Sequence, residues 1–349
     1  MRVSRLCLFV AVFLSWSALA PVRAATEAPS SVLVTMDAMR KANAAVVGVR
    51  VTAVDGARSA DTLGARRTGS GVVIGADGLV LTIGYLMLEA ERIEIITQDN
   101  NVLPATAVAY DSATGFGLIR ALLPLPALTP AKLGSIRNLQ AGDVLLAATG
   151  PMGSGDQGGV GMTRLVSTRA FSGTWEYHID TALFTSPPIN AGSANHSGAP
   201  LFNQKGELVG IGSLLVMDAL GQNIRMPGNM FVPVDLLTPI LAELQHSGSS
   251  RQSHRPWLGL TSSDRNGRVQ IVRVSADSPA EAAGLQPGVV VLAVDGSAVS
   301  TLESFYKKLW ARSAPDAPVS LTVRQGTEVK TIVLTPEDRL LALKKPSGI

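Results

Sequence analysis

Residues 69–83, GSGVVIGADGLVLTI, decide how this chain is read. Val72-Val73-Ile74 and Leu79-Val80-Leu81 are apolar runs, and Asp77-Gly78 stands between them. Asp-Gly supplies the positive φ that a tight hairpin needs, so the segment predicts strand, turn, strand. The same texture extends in both directions. VVGVRVTAV (46–54) alternates as a half-buried strand does, and further strands are expected at 92–97, 105–110, 117–121, 144–149 and 208–216. Helices are expected at 31–44 and at 233–245, where Leu236, Leu237, Ile240, Leu241 and Leu244 recur at helical spacing.

Beyond this strand-rich region, HSGSSRQSH (246–254) is polar, serine-rich and without periodicity, and reads as a linker. A second compact unit follows at 255–338. It contains a strand at 269–274, then Ser278-Pro279-Ala280-Glu281, a capping box with proline at the first helical position, and Gly284 as the stop. A buried strand at 289–294 runs into the Asp295-Gly296 turn, a helix is expected at 301–311, and a hairpin at 319–334 closes the unit. The tail, 339–349, carries Lys344 and Lys345 and reads as solvated.

The first 24 residues have the layout of a secretory signal: Arg2 and Arg5, the apolar run LCLFVAVFL, and Val22-Arg23-Ala24 before a cleavage point. The apolar run is shorter than the ~20 residues a spanning helix needs, so export with cleavage is the expectation and no stable membrane span remains afterwards. Removing Arg2, Arg5 and Arg23 from 30 basic residues leaves 27 against 27 acidic ones, and the basic surplus that nucleic-acid binding would use is gone. Cys7, the one cysteine, leaves with the same segment. The remaining chain has no disulfide, no thiol nucleophile and no cysteine metal ligand, and the four histidines have no metal-ligand spacing; no metal and no cofactor are expected.

SPAEAAGLQPGVVVLAVDG (278–296) resembles the core of a bacterial PDZ domain, with Val289 where many relatives carry Asp. The preceding region resembles the HtrA/DegP serine proteases in four collinear blocks: GSGVVIGADGLVLT (69–82), LQAGDVLLAATGPMG (139–153), SGAPLFNQKGELVGI (197–211) and NMFVPVDLLTPIL (229–241). The resemblance covers residues 40–336. It implies an all-β chymotrypsin-like double β-barrel (domain 25–245) followed by a small α+β PDZ domain (255–338), located in the periplasm or otherwise exported. It also implies that Trp257, Leu258, Gly259 and Leu260 form a loop whose amides receive the C-terminal carboxylate of a peptide, which adds as a strand beside it. Trimerisation, or mixed assembly with an active relative, is implied in the same way.

The same resemblance exposes what is missing. A serine hydroxyl needs a base to take its proton and a carboxylate to orient that base. Ser197 retains the nucleophile position. The family's histidine segment, LTNNHVV, corresponds to LTIGYLM, which puts Tyr85 where histidine belongs. The family's D--TDLALL corresponds to DSATGFGLI, with Gly115 at the acid and Asp111 at an earlier, non-catalytic aspartate. A phenol, with a pKa of about 10, donates a hydrogen bond but is no base at neutral pH. The loop NAGSANHSGAPL (190–201) is longer before Ser197 than the family's NPGNSGGPL, and Asn195 replaces a glycine, which puts the oxyanion hole in doubt.

Three functions compete. The favoured one is a pseudoprotease that binds C-terminal peptides or unfolded protein segments through the PDZ groove and the vestigial cleft. The alternatives are an active serine endopeptidase of periplasmic quality control that uses Ser197 with an unassigned base, and an adaptor acting through the PDZ domain alone. His196 reads as a solvated loop residue, and His178 with Asp180 as a surface polar pair.

Overall fold

Val47, Val49 and Val51 face one side of their strand and Val46 the other, yet both sides are buried, because the strand belongs to a closed barrel. The computed structural model describes residues 36–37, 40, 43–125, 129–153, 155, 157–189, 196–221, 224–312, 314 and 316–344. The first barrel comprises β1 (Val46–Ala53), β2 (Arg66–Val73), β3 (Leu79–Ile83), β4 (Ala90–Ile96), β5 (Val102–Tyr110) and β6 (Phe116–Ala121), with the single turn α1 (Ala60–Leu63) between β1 and β2. Their order is β1-β2-β3-β6-β5-β4. Val49 lies opposite both Gly69 and Ile95, and this double pairing of β1 closes the barrel.

The second barrel comprises β7 (Val144–Thr149), β8 (Gly159–Gly173), β9 (Tyr177–Ser186), β10 (Pro200–Phe202), β11 (Leu208–Val216) and β12 (Gly228–Pro233), ordered β10-β11-β12-β9-β8-β7. One core joins the two barrels: Leu81, Phe116 and Leu118 from the first share a cluster with Phe184, Phe202 and Val232 from the second. Each such side chain contributes roughly 1.5–3 kcal/mol by leaving water, so the seam between the barrels is rigid.

After α2 (Leu241–Ser247) comes an antiparallel sheet of β14 (Leu260–Ser263), β15 (Val269–Val274), β16 (Val290–Val294), β17 (Ser297–Ala298), β18 (Val319–Gln325) and β19 (Glu328–Leu334), preceded by β13 (Pro256–Trp257), which pairs with β20 (Glu337–Asp338). α3 (Pro279–Ala282) is capped as its sequence predicts, with Ser278 Oγ accepting from Glu281 N. α4 (Leu302–Trp310) starts on a Thr301–Ser304 capping box and buries Leu302, Phe305, Tyr306 and Leu309 against this unit's own core. The whole is a chymotrypsin-like double barrel followed by a PDZ domain.

Two expectations differ from the observed structure, one hairpin was not expected, and the linker carries contacts that its composition does not show. The helix expected at 233–245 is only a 3₁₀ turn (Val234–Leu236) and α2, because Pro239 cannot donate a hydrogen bond in a helix interior. The long β8–β9 hairpin lacks a clean alternating signature, since its register shifts between Leu165 and Ser167 and again between Arg169 and Phe171. The serine-rich linker 246–254 is pinned at two points: the hydroxyls of Ser250 and Ser253, both buried, donate to the buried Asp111. The described part of the tail, residues 339–344, is docked and not free in solvent, with Arg339 donating to the Trp175 carbonyl at 3.1 Å and the Lys344 amide to Glu89 at 2.9 Å. Residues 1–24 lie outside the described residues; within the helix expected at 31–44, the described residues Met36, Asp37, Arg40, Asn43 and Ala44 are helical.

Candidate active site and peptide groove

Ser197 is held between the barrels. Its carbonyl accepts from Ser70 N on β2 at 2.8 Å, and the next residue, Gly198, donates to the Gly212 carbonyl on β11 at 2.8 Å. Gly198 has φ 77°, and a β-carbon there would sit 2.1 Å from the Ser70 carbonyl oxygen, so the turn admits only glycine. Tyr85 comes from the first barrel, on a 3₁₀ turn (Gly84–Met87) that leaves β3. The buried Arg67 guanidinium supports that turn from beneath, donating to the Leu88 carbonyl at 2.7 Å and the Tyr85 carbonyl at 3.3 Å.

The Tyr85 hydroxyl lies 2.6 Å from Ser197 Oγ and 2.7 Å from the Ser213 carbonyl oxygen. A phenol has one hydrogen, and a carbonyl only accepts. Tyr85 therefore donates to Ser213, and Ser197 donates its own hydrogen to the phenol oxygen. Burial pushes the Tyr85 hydroxyl up to about 12, with the Ser197 contact pulling the other way. At pH 7 only about one phenol in 10⁵ is then ionised, so the oxygen that receives the serine's hydrogen bond does not remove its proton.

Gly115 lies at φ 85°, donates to the Asp111 carbonyl at 2.7 Å and accepts from Gly84 N at 2.7 Å, which fixes the start of the Tyr85 turn. The space beside it is filled by Tyr177, whose hydroxyl would be 3.3 Å from a β-carbon at Gly115. Asp111 is fully buried and points elsewhere: besides Ser250 and Ser253 it accepts from the Thr114 amide at 2.9 Å and the Thr114 hydroxyl at 2.5 Å. Among the described residues no imidazole or carboxylate hydrogen-bonds to Ser197 Oγ. His196 is half-buried, not solvated, and burial lowers its pKa. His178 is buried on β9, between Ser172 Oγ at 2.8 Å and the exposed Asp180 at 3.2 Å. Glu303 also approaches that pair, but Lys307 already binds both carboxylates, at 2.7 and 2.8 Å. Asn190 to Asn195, which carry the oxyanion question, lie outside the described residues.

Of the four residues expected to form the carboxylate loop, Trp257 ends β13, Leu258 and Gly259 make the connection and Leu260 starts β14, with Leu258 and Leu260 buried and Gly259 at φ 86°. The amides of Leu258 and Leu260 converge, and a carboxylate from the second barrel meets them: Glu176 accepts from Leu258 N at 3.2 Å and from Leu260 N at 3.1 Å.

Comparison with known proteins agrees with this architecture. Residues 69–211 match the family described as trypsin-like peptidase domain, and residues 256–335 match the PDZ domain family. The serine endoprotease DegS of Haemophilus influenzae is 27% identical over 305 residues, covering 86% of this chain and 87% of that protein. The two domains in this order, with these relatives, support an HtrA/DegP-type serine protease. A probable periplasmic serine endoprotease, DegP-like, of Hahella chejuensis is 28% identical over 283 residues, 77% of this chain but 57% of that longer protein. Among solved structures, the serine endoprotease from Yersinia pestis shares the fold with a TM-score of 0.52 at 23% identity, covering 87% of this chain and 97% of that one. An HtrA-type protease, AlgW with tripeptide, gives 0.52 at 21% identity, covering 90% and 98%.

Within this HtrA-type frame, three site residues escape a reading of the sequence. Ser213 acts through its carbonyl, which no side-chain pattern reveals. Asp111 acts on serines more than a hundred residues away. Glu176 sits in an ordinary-looking turn.

Proposed function

We propose that this HtrA/DegP-type chain is a pseudoprotease that binds C-terminal peptides or unfolded protein segments through its PDZ groove and the remains of its cleft. The observation that carries the reading is the Tyr85 hydroxyl, 2.6 Å from Ser197 Oγ and 2.7 Å from the Ser213 carbonyl. A neutral phenol, fixed as a donor to a carbonyl, stands where a base has to be. With neither base nor orienting acid, at most ~10³–10⁴-fold acceleration remains from binding and oxyanion stabilisation, which is negligible for peptide hydrolysis.

Binding and bond cleavage use different groups, so the cleft outlives the triad. Leu215, Met217 and Leu220 lie exposed on β11 and just after it, along the strand that supplies Ser213, and suit an apolar segment. Among the described residues no helix is long and apolar enough to cross a membrane, and relatives named as periplasmic support export. A homo-oligomer, or assembly with an active relative, fits the same family.

The test is a serine-directed fluorophosphonate probe on the purified chain, beside a casein digest. No labelling above the Ser197→Ala background and no cleavage are expected. Labelling or cleavage that vanishes in Ser197→Ala makes the chain an active endopeptidase instead.

A further inference from the structure

The amides proposed to receive a peptide's carboxylate already hold one. Glu176 sits at φ 56° in the turn between β8 and β9, only 7% exposed. Its two oxygens accept from Leu258 N, both at 3.2 Å, and one accepts from Leu260 N at 3.1 Å. Among the described residues no lysine or arginine pairs with it; its direct partners are backbone amides.

The turn around Glu176 is seated as an added strand would be. Ser262 N, on β14, donates to the Thr174 carbonyl at 2.8 Å. On the opposite side, α4 contributes Tyr306, whose hydroxyl donates to the Gly173 carbonyl at 2.8 Å and accepts from Glu176 N at 3.2 Å. Arg339 holds the Trp175 carbonyl from the tail. Residues 173–176 thus lie between β14 and α4, fastened to both, with a carboxylate in the loop at the head of β14.

We propose that this turn is an internal ligand of the PDZ groove, with Glu176 in place of a C-terminal carboxylate, and that a peptide binds by displacing it. The proposal rests on the peptide-groove reading above and names its regulation. Two carboxylates cannot share the same two amides, because each N–H is already used and like charges ~3 Å apart repel. The internal ligand also has the advantage of tethering, an effective concentration of millimolar or more, against which a free peptide competes. Displacement frees the PDZ domain from the second barrel at this contact.

The test uses the full chain without residues 1–24. A fluorescein-labelled decapeptide with an apolar, free C-terminus, and the same peptide as its C-terminal amide, are titrated against wild type, Glu176→Ala and Tyr306→Phe. Amide hydrogen exchange at Leu258 and Leu260 is followed in parallel. The acid peptide is expected to bind Glu176→Ala at least tenfold more tightly than wild type, Tyr306→Phe in between, and the amide peptide none of them. The two amides are expected to lose protection in Glu176→Ala and to regain it with peptide. Equal affinity for wild type and Glu176→Ala overturns the internal ligand and leaves the groove reading standing. Loss of amide protection without peptide binding by any variant overturns the groove reading, and displacement with it. If Glu176→Ala does not fold cooperatively, Tyr306→Phe decides: affinity equal to wild type rejects the proposal.

Discussion

The phenol of Tyr177 donates to the Thr114 carbonyl at 2.6 Å, and its ring fills the space next to Gly115. On the pseudoprotease reading proposed above, the place of the triad's acid therefore has no side chain of its own at Gly115 and a neighbour packed against it. Gly115 adds a φ of 85°, where a β-carbon is strained by about 1–2 kcal/mol. The double replacement Tyr85→His with Gly115→Asp is expected to leave casein uncleaved and to lower the thermal midpoint, with most of the loss contributed by Gly115→Asp alone. Cleavage by the double variant at the level of an active relative would show that the site tolerates an aspartate there.

Tyr85→Phe tests the phenol as a structural bond. It strands the Ser213 carbonyl and removes the acceptor of Ser197, at a cost of about 1–3 kcal/mol in urea unfolding. Fluorophosphonate labelling stays at background, since no base is created. A variant as stable as wild type would mean that the carbonyl finds another donor.

Asp111 ties the segment after the barrels to the first barrel through Ser250 and Ser253. Asp111→Ala leaves these hydroxyls and the Thr114 amide without their acceptor, and about 2–4 kcal/mol of stability should go with it. Limited proteolysis should then cut within 246–254 faster than it does in wild type. Ser249→Ala, in the same stretch but bonded to the exposed His254, serves as the control and should change neither measurement.

Burial raises the Glu176 carboxyl to about 7, although the Leu260 amide, Arg339, and the Leu258 and Gly259 amides all pull it down. Its other titratable and charged neighbours do not offset this: Tyr306 is kept protonated by its own burial, and Arg255 lies over Trp310. In the displaced state Glu176 is solvated and returns to about 4.3. The closed groove thus binds a proton that the open one releases, and between about pH 4.5 and 7 acid favours closure. A peptide α-carboxylate, at about 3.5, stays ionised throughout. Peptide affinity should fall several-fold from pH 7.5 to 5.5 in wild type and stay level in Glu176→Ala. By the same sign, unfolding stability contributed by this group rises as pH drops through that window. A flat wild-type profile would remove Glu176 from the groove's energetics.

The parts of the fold that local chemistry dictates were legible from residues alone. Asp77-Gly78 marks a hairpin, Ser278-Pro279 a capped turn, and Val46 to Val54 a strand, each within a few neighbours. The β8–β9 hairpin was not, because two register shifts break its alternation. Tyr85, Gly115 and Ser197 were singled out by resemblance alone, and the direction of the Tyr85–Ser197 hydrogen bond depends on Ser213, which enters from β11 through its backbone. Glu176 and Asp111 were illegible for a shared reason. Each carboxylate serves partners brought together only by the packing of distant elements, and neither sits in a local pattern that would mark it.

The pinning of Ser253 has a mechanical consequence. Only His254 and Arg255 separate it from Pro256, where the first strand of the PDZ unit begins, a span of roughly 10 Å when stretched. With so little slack, a PDZ domain freed from the β8–β9 turn swings on a hinge and does not drift on a leash. A peptide that opens the gate is therefore always challenged by a rival that waits one swing away, and closure needs no search.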